Sequence, residues 1–395
     1  MSSLRLLGKQ GSYFCSALLR SRLQHLSQPT NHCRTFAASS EVGFTKAQTQ
    51  LNALKKAPDN EAKLRIYALF KQATDGPCSK PKPAADDFIQ TAKWDAWNGL
   101  GSMPKTDAKQ EYINIVNALA LAELHDTVSA VDAGEEMTNF QYLIYEVEGK
   151  AAKITLNRPN TKNSLNRELY FEVPAAFKKA SEDPNITLVV LTGAGEYFSS
   201  GNDLNNLAHI PSRQQLKETC ELGGSVLQKY MESFIDFPKP LIAAVNGPAM
   251  GLAVTTLALC DVVYASDKAT FMTPFTVLGL GPEGCSSHLF PKIMGYAKAN
   301  EVLLFGKKLS AQEAKDCGLV TEVFPNRSFD EEVRHRVAQH SELPPQSMRS
   351  TKGIVRGWEK DLLKKVNKQE CDNLVEFWQG KEFLEAAIKF VSKKK

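Results

Sequence analysis

The sequence predicts two domains in one chain, an all-α four-helix bundle followed by a layered α/β domain. Three observations lead there. Between residues 41 and 121, four short segments carry apolar residues at helical spacing. From Tyr142 onward, apolar runs of strand length alternate with helical segments, the pattern of a layered α/β core. Two of those runs, Leu188-Val189-Val190-Leu191 and Leu241-Ile242-Ala243-Ala244-Val245, are continuous and β-branched, as strands buried on two faces tend to be, and each leads into a Gly-rich turn. At 395 residues the chain exceeds what one hydrophobic core ordinarily organises.

The elements follow in order. Residues 1–40 contain no Asp or Glu, while Arg5, Arg20, Arg22 and Arg34 alternate with Leu and Ser, the composition of a mitochondrial transit peptide. The expected location is therefore the mitochondrial matrix. The chain ends Ser392-Lys393-Lys394-Lys395, which is not a peroxisomal address of the Ser-Lys-Leu type. The bundle then occupies residues 41–121. Phe44, Ala47, Leu51 and Leu54 mark its first helix. The second opens with Asp59 as N-cap and runs through Leu64, Ile66, Tyr67, Ala68 and Phe70. A third covers residues 86–97, and a fourth holds Tyr112, Ile113, Val116 and Leu119. Residues 122–139 are polar and acidic without helical periodicity, so a flexible linker is expected there.

The α/β domain, residues 140–395, begins with a β-hairpin from Tyr142 to Leu156 turning at Glu148-Gly149-Lys150. The two buried strands then lead to Phe198-Ser199-Ser200-Gly201-Asn202-Asp203-Leu204 and to Asn246-Gly247-Pro248-Ala249-Met250-Gly251-Leu252. Gly-rich turns leaving buried strands can aim backbone N–H groups at one point, which is how an oxyanion hole is built from main chain. Neither turn has a Gly-x-Ser-x-Gly elbow or a phosphate-loop Lys, so the pair suggests a stabilised enolate rather than serine hydrolysis or nucleotide binding. Further on, Glu283 lies in the apolar, Gly-rich stretch Leu278-Gly279-Leu280-Gly281-Pro282-Glu283-Gly284. Burial there raises a carboxyl pKa towards neutrality, suiting a group that takes a proton and returns it. The chain from about Glu331 to Phe390 reads as helical.

Composition excludes several classes. The basic residues are spread along the chain and the slight excess behind the net charge of +4 sits largely in the leader and the tail, so nothing argues for nucleic acid. Eight Cys occur without a Cys-x-x-Cys pair and seven His without His-x-x-x-His spacing, so reduced thiols and no metal are expected. No apolar run is long enough to span a membrane.

The two turns resemble the oxyanion segments of the crotonase (enoyl-CoA hydratase/isomerase) superfamily, whose members act on acyl-CoA thioesters. The resemblance implies a crotonase-like ββα superhelix in which the Asn202 and Leu252 amides are the oxyanion donors. It also implies that Ser199, Ser200, Gly201, Asn202, Asp203 and Gly251 contact the substrate. Family hydratases carry one Glu on the helix after the second turn and another after a Pro further on. Here those places hold Thr255 and Phe275, neither of which can activate water or deliver a proton. Glu283 instead matches the catalytic Glu of the Δ3,Δ2-enoyl-CoA isomerases. By that resemblance the catalytic set is Glu283, Asn202 and Leu252, no cofactor is required, and the C-terminal helices build a homotrimer. A hydratase is disfavoured by Thr255 and Phe275; a pseudoenzyme that only binds acyl-CoA is disfavoured by an intact Glu283.

Within the bundle, Tyr67-Ala68-Leu69-Phe70-Lys71-Gln72-Ala73-Thr74 and Ala92-Lys93-Trp94-Asp95-Ala96-Trp97-Asn98 resemble the two signature stretches of acyl-CoA-binding domains. Tyr67 and Lys71 lie four apart on one helix face, an aromatic plane beside a cation, which suits adenine and the CoA phosphates. The resemblance assigns acyl-CoA binding to Tyr67, Ala68, Leu69, Phe70, Lys71, Lys93 and Tyr112. Phe70, where Tyr is usual, and Ile89 and Thr91, where Lys is common, depart from the pattern.

Overall fold

The computed structural model describes residues 40–84, 86–132, 137, 139–203, 213–383, 385 and 386. The leader to residue 39, Leu204 and the final Ser392-Lys393-Lys394-Lys395 lie outside the described residues. The described residues form two compact units, one of the segment up to Ala53 with Asp59–Ile113, the other of Leu54–Pro58 with Asn114–Lys395.

The first unit is the expected bundle, built from α1 (Ser40–Ala53), α2 (Asn60–Thr74), α3 (Phe88–Asn98) and the first part of α4 (Lys105–Asp132). Asp59 caps α2 by accepting from the Ala62 amide at 2.8 Å, and Asp87 caps α3 through the Gln90 amide at 3.0 Å. Phe44 meets Tyr112 edge-on at 4.9 Å between ring centroids, and Phe70 lies 5.9 Å from Phe44, forming an aromatic centre.

The expectation of a flexible linker over residues 122–139 is corrected for residues 122–132, since α4 continues to Asp132; residues 133–136 and 138 lie outside the described residues. Leu121, Leu124 and Val128 recur at spacings of three and four and pack into the core of the second unit. Glu123, read as a sign of a polar tether, accepts from the Lys55 and Lys56 amides at 2.6 and 3.1 Å. The boundary by contact therefore falls after Ile113.

The second unit holds a six-stranded sheet in the order β1 (Leu143–Glu148), β2 (Ala151–Leu156), β3 (Leu188–Gly193), β4 (Leu241–Val245), β6 (Val262–Ser266), β9 (Glu322–Phe324). β1 and β2 pair antiparallel as the predicted hairpin, and every later pairing is parallel. β3 and β4 are buried on both faces, which is why they read as unbroken apolar runs. Leu188, Val190, Ile242 and Ala244 point to one face, with Val333 and Val337 of α10 (Phe329–Ser341), while Val189, Leu191, Ala243 and Val245 point into the main core. A small sheet of β5 (Ala249–Met250), β7 (Thr270–Met272) and β8 (Leu309–Ser310) lies beyond the end of β4.

Helices α5 (Leu169–Glu182), α6 (Arg213–Asp236), α7 (Leu252–Thr255), α8 (Ser286–Leu303), α9 (Ala311–Asp316), α11 (Pro345–Gly357) and α12 (Lys360–Gln379) complete the layers. α6 and α12 pack closely. A Cβ on Gly224 would come within 2.5 Å of Val375 Cγ2, and Asp236 pairs with Lys360 and Lys364 at 2.8 and 2.9 Å. Leu363, Cys371, Leu374 and Trp378 on the inner face of α12 join the main core.

Candidate active site

The first turn is held like a strand between two neighbours. Ser199 bridges to Ala249, with the Met250 amide donating to Ser199 O at 3.0 Å, and Asn202 bridges to Leu165 on the other side. There the Leu165 amide donates to Gly201 O at 2.9 Å and the Asp203 amide to Leu165 O at 3.0 Å. In a trans peptide the N–H points opposite to the carbonyl before it, so Asn202 N–H faces away from Leu165, towards the side on which Ser199 pairs with Ala249.

The second turn meets it there. Gly201 has φ +76°, and a Cβ on it would lie 2.5 Å from Met250 O and 3.6 Å from Leu252 N. Only glycine fits, both for its left-handed backbone and for the approach it allows. Gly251, at φ 55° and ψ −125°, turns the chain after β5 and donates to Met272 O at 2.8 Å. Leu252 N–H is then the first amide of α7, a position with no intrahelical acceptor. The amides of Asn202 and Leu252, the donors expected from the sequence, therefore sit on the two turns that approach each other at Gly201.

Glu283 faces this point. It is 7% exposed, and the position of a Cβ on Gly251 is 4.0 Å from its Oε1. Burial first, and then the negative charge of Glu370, push its carboxyl up to about 8. Tyr170 on α5, Tyr230 on α6 and Cys371 on α12 are buried close enough to feel the Glu283 charge, and the two tyrosine rings meet edge-on at 5.0 Å. Thr255 lies against Gly284, where a Cβ would come within 2.3 Å of Thr255 Oγ1, and its hydroxyl donates to Leu252 O at 3.2 Å. Phe275 is buried in the core. The two places where the family hydratases carry carboxylates therefore offer none, and the carboxyl arrives from a third direction.

The family model for enoyl-CoA hydratase/isomerase matches residues 146–395. The chain belongs to the enoyl-CoA hydratase/isomerase family. A second model, acyl CoA binding protein, matches residues 41–116. Among relatives, the chain is 46% identical to enoyl-CoA delta isomerase 2 of Rattus norvegicus, covering 94% of this chain and 92% of that protein. It is 48% identical to enoyl-CoA delta isomerase 2 of Homo sapiens, covering 91% of each. Of solved structures, an enoyl-CoA hydratase/isomerase from Pseudoalteromonas atlantica T6c aligns with a TM-score of 0.58 and 34% identity, over 64% of this chain and 98% of that one. The enoyl-CoA hydratase/isomerase fold expected from the two turns is the fold observed.

The remaining expected contacts of this family member divide by placement. Ser199 Oγ donates to Asn163 O at 2.7 Å and accepts from the Gly201 amide at 3.1 Å, so it shapes the turn from within. Ser200 amide donates to Lys162 O at 2.9 Å. The Asp203 carboxylate accepts from Ser164 Oγ at 3.1 Å and from Arg158 Nη1 at 3.3 Å, which ties it to the scaffold. The loop carrying Arg158, Asn163 and Ser164 braces the first turn; sequence reasoning did not find it. Glu370 was also missed. Leu363, Asn367, Glu370, Cys371, Leu374 and Trp378 form the buried face of α12, and a charge at a core position of that helical period was the available signal.

In the bundle, Lys93 Nζ lies 5.2 Å from the Tyr67 ring centroid, and Lys71 Nζ lies 5.6 Å from that of Trp97 while pairing with Asp75 at 2.7 Å. Tyr67, Lys71 and Lys93 form one half-buried patch, with Phe70 beside it. Ala68, Leu69 and Tyr112 are fully inside, so they are core beneath the patch rather than its surface. Among the described residues no cluster of three or more His, Cys, Asp or Glu could hold a metal ion, and no helix is long and apolar enough to cross a membrane.

Proposed function

We propose that the chain isomerises 3-cis- and 3-trans-enoyl-CoA to 2-trans-enoyl-CoA, the rearrangement that lets β-oxidation continue past a misplaced double bond. The observation that carries this is the buried carboxyl of Glu283, set against Gly251 where the two turns approach each other, while Thr255 and Phe275 occupy the hydratase positions. The names of the Rattus norvegicus and Homo sapiens relatives support it. A C2 proton of a 3-enoyl thioester is acidified by the carbonyl and the double bond. Glu283 takes it, and the electron pair moves onto the thioester oxygen as a dienolate. The two amides stabilise that oxygen, each donor contributing ~2.7–4 kcal/mol. The protonated Glu283 then returns the proton at C4, and the double bond settles between C2 and C3. The rearrangement is redox-neutral, so it needs no redox cofactor.

The test is to supply 3-cis- and 3-trans-enoyl-CoA of several chain lengths and follow conjugated 2-enoyl thioester. Because the base works deprotonated and its carboxyl titrates near 8, kcat/KM should rise with pH through about 8 and level off above it. A profile flat from pH 5 to 9 would remove Glu283 as the base.

The bundle is read as the acyl-CoA-binding module, supported by its family match and by the Tyr67, Lys71 and Lys93 patch. Lys93→Ala and Lys71→Ala should each weaken binding of a long-chain acyl-CoA by ~1.5–3 kcal/mol in titration calorimetry of the full chain. Unchanged affinity in both would place the ligand elsewhere. Delivery to the mitochondrial matrix rests on the acid-free leader, and assembly as a homotrimer is supported by the exposed apolar face of Ile354, Val355 and Trp358 on and just after α11, Trp358 being 89% exposed. Both are checked by isolating the tagged protein from mitochondria and measuring its mass by sedimentation; a cytosolic monomer would contradict both.

A further inference from the structure

Glu370 lies on the inner face of α12, 4% exposed, yet its carboxylate acts on a distant part of the sequence. Oε2 accepts from the Cys285 amide at 2.6 Å. Oε1 accepts from the Ser287 amide at 2.9 Å and from the Ser287 hydroxyl at 2.5 Å. These donors bracket the turn that leaves Glu283, where Gly284 and Cys285 have φ of 71° and 60°. A left-handed backbone at a residue with a Cβ is unfavourable and persists only where its surroundings fix it. All three contacts point hydrogen at the carboxylate, an arrangement that suits the anion.

The charge matters as much as the clamp. The groups that face Glu283 are Tyr170 from α5, Tyr230 from α6, and Glu370 and Cys371 from α12. Burial raises both phenols and the thiol, so these stay neutral where an isomerase works. Glu370 is the charged neighbour. Its carboxyl lies above the ordinary value because of burial, a rise that the Ser287 and Cys285 donors and His288 beside the same turn oppose without cancelling.

We propose that Glu370 is a positioning residue for Glu283, its carboxylate clamping the left-handed turn that aims the catalytic carboxyl. The proposal rests on the assignment of Glu283 as the base. A carboxylate beside a second negative charge holds its proton more tightly, and a base of that strength is better matched to a carbon acid.

The test measures kcat and KM against pH for the full chain with a 3-enoyl-CoA. In Glu370→Gln the acidic limb of kcat/KM should move down by about half a pH unit or more, since the neighbouring charge is gone. Its plateau kcat should fall by about tenfold or more as base strength and aim are lost, with KM changed much less. Glu370→Asp, which keeps the charge, should bring the limb back towards wild type. If Glu370→Gln does not fold, Ser287→Ala removes one donor to the anion and should shift the limb in the same direction by less. A limb that stays in place in the folded variant, with activity lost only in proportion to folded protein, overturns the proposal. Glu283→Gln separates the two levels. If it still turns over, the base lies elsewhere and both assignments fail; if it is inactive while the limb of Glu370→Gln stays put, only the positioning role is wrong.

Discussion

Glu283→Gln should leave a folded, acyl-CoA-binding protein that no longer isomerises. The amide keeps the size of the side chain and removes the basic lone pair. A positioned acid/base group is worth roughly 10²–10⁴-fold, and since one carboxyl performs both proton transfers the loss should reach the upper part of that range. The measurement is the rate of conjugated 2-enoyl thioester formation alongside acyl-CoA binding. The controls follow from packing. Thr255→Ala deletes a hydroxyl that bonds to Leu252 O, and should cost little turnover. Phe275 is buried, so truncation to Ala would remove ~3–5 kcal/mol of stability; Phe275→Leu is the fitting comparison. Near-normal turnover in folded Glu283→Gln would leave the mechanism without its base.

Gly201→Ala should nearly match that loss through geometry alone. The new Cβ would sit 2.5 Å from the Met250 carbonyl oxygen, and the backbone there has φ +76°. Neither strain is relieved by a side-chain rotation, because the opposing atom is main chain. The first turn must withdraw from the second, so the Asn202 and Leu252 amides no longer converge. Losing one such donor typically lowers kcat by about 10²–10³-fold. The melting temperature should fall as well, since Ala at positive φ is disfavoured. A kcat within threefold of wild type, in protein with an unchanged circular dichroism spectrum, would show that the convergence of the turns is not what stabilises the oxyanion.

What the sequence made legible were features written in contiguous residues. β3 and β4 were readable because a strand covered on both faces has no polar side to interrupt it. The two turns were readable because close approach and positive φ leave glycine as the workable choice at Gly201 and Gly251. Glu283 stood out as a charge in an apolar stretch. The features that escaped depend on partners far along the chain. Glu370 makes sense only beside Cys285 and Ser287. The acidic residues of 122–139 hid the stripe of Leu121, Leu124 and Val128, whose helix is stabilised by the core it packs into. In the bundle, adjacency in sequence misled, because neighbours on a helix point in different directions. Tyr67 and Lys71 reach the surface patch, whereas Ala68 and Leu69 between them face inward.

The burial of Glu283 also bears on how well the domain stays folded. Its carboxyl has an ordinary value of 4.5 and one near 8 in the native protein. Below 4.5 both the folded and the unfolded chain hold the proton, and the group is neutral to the balance. Between 4.5 and 8 the unfolded chain ionises while the native site does not, so the unfolded state gains by at most about 1.4 kcal/mol for each unit of pH. Above 8 the deficit is constant. The alkaline pH at which the base is ready to act is thus the pH at which this side chain most opposes the native state, and the surrounding apolar packing has to supply the difference.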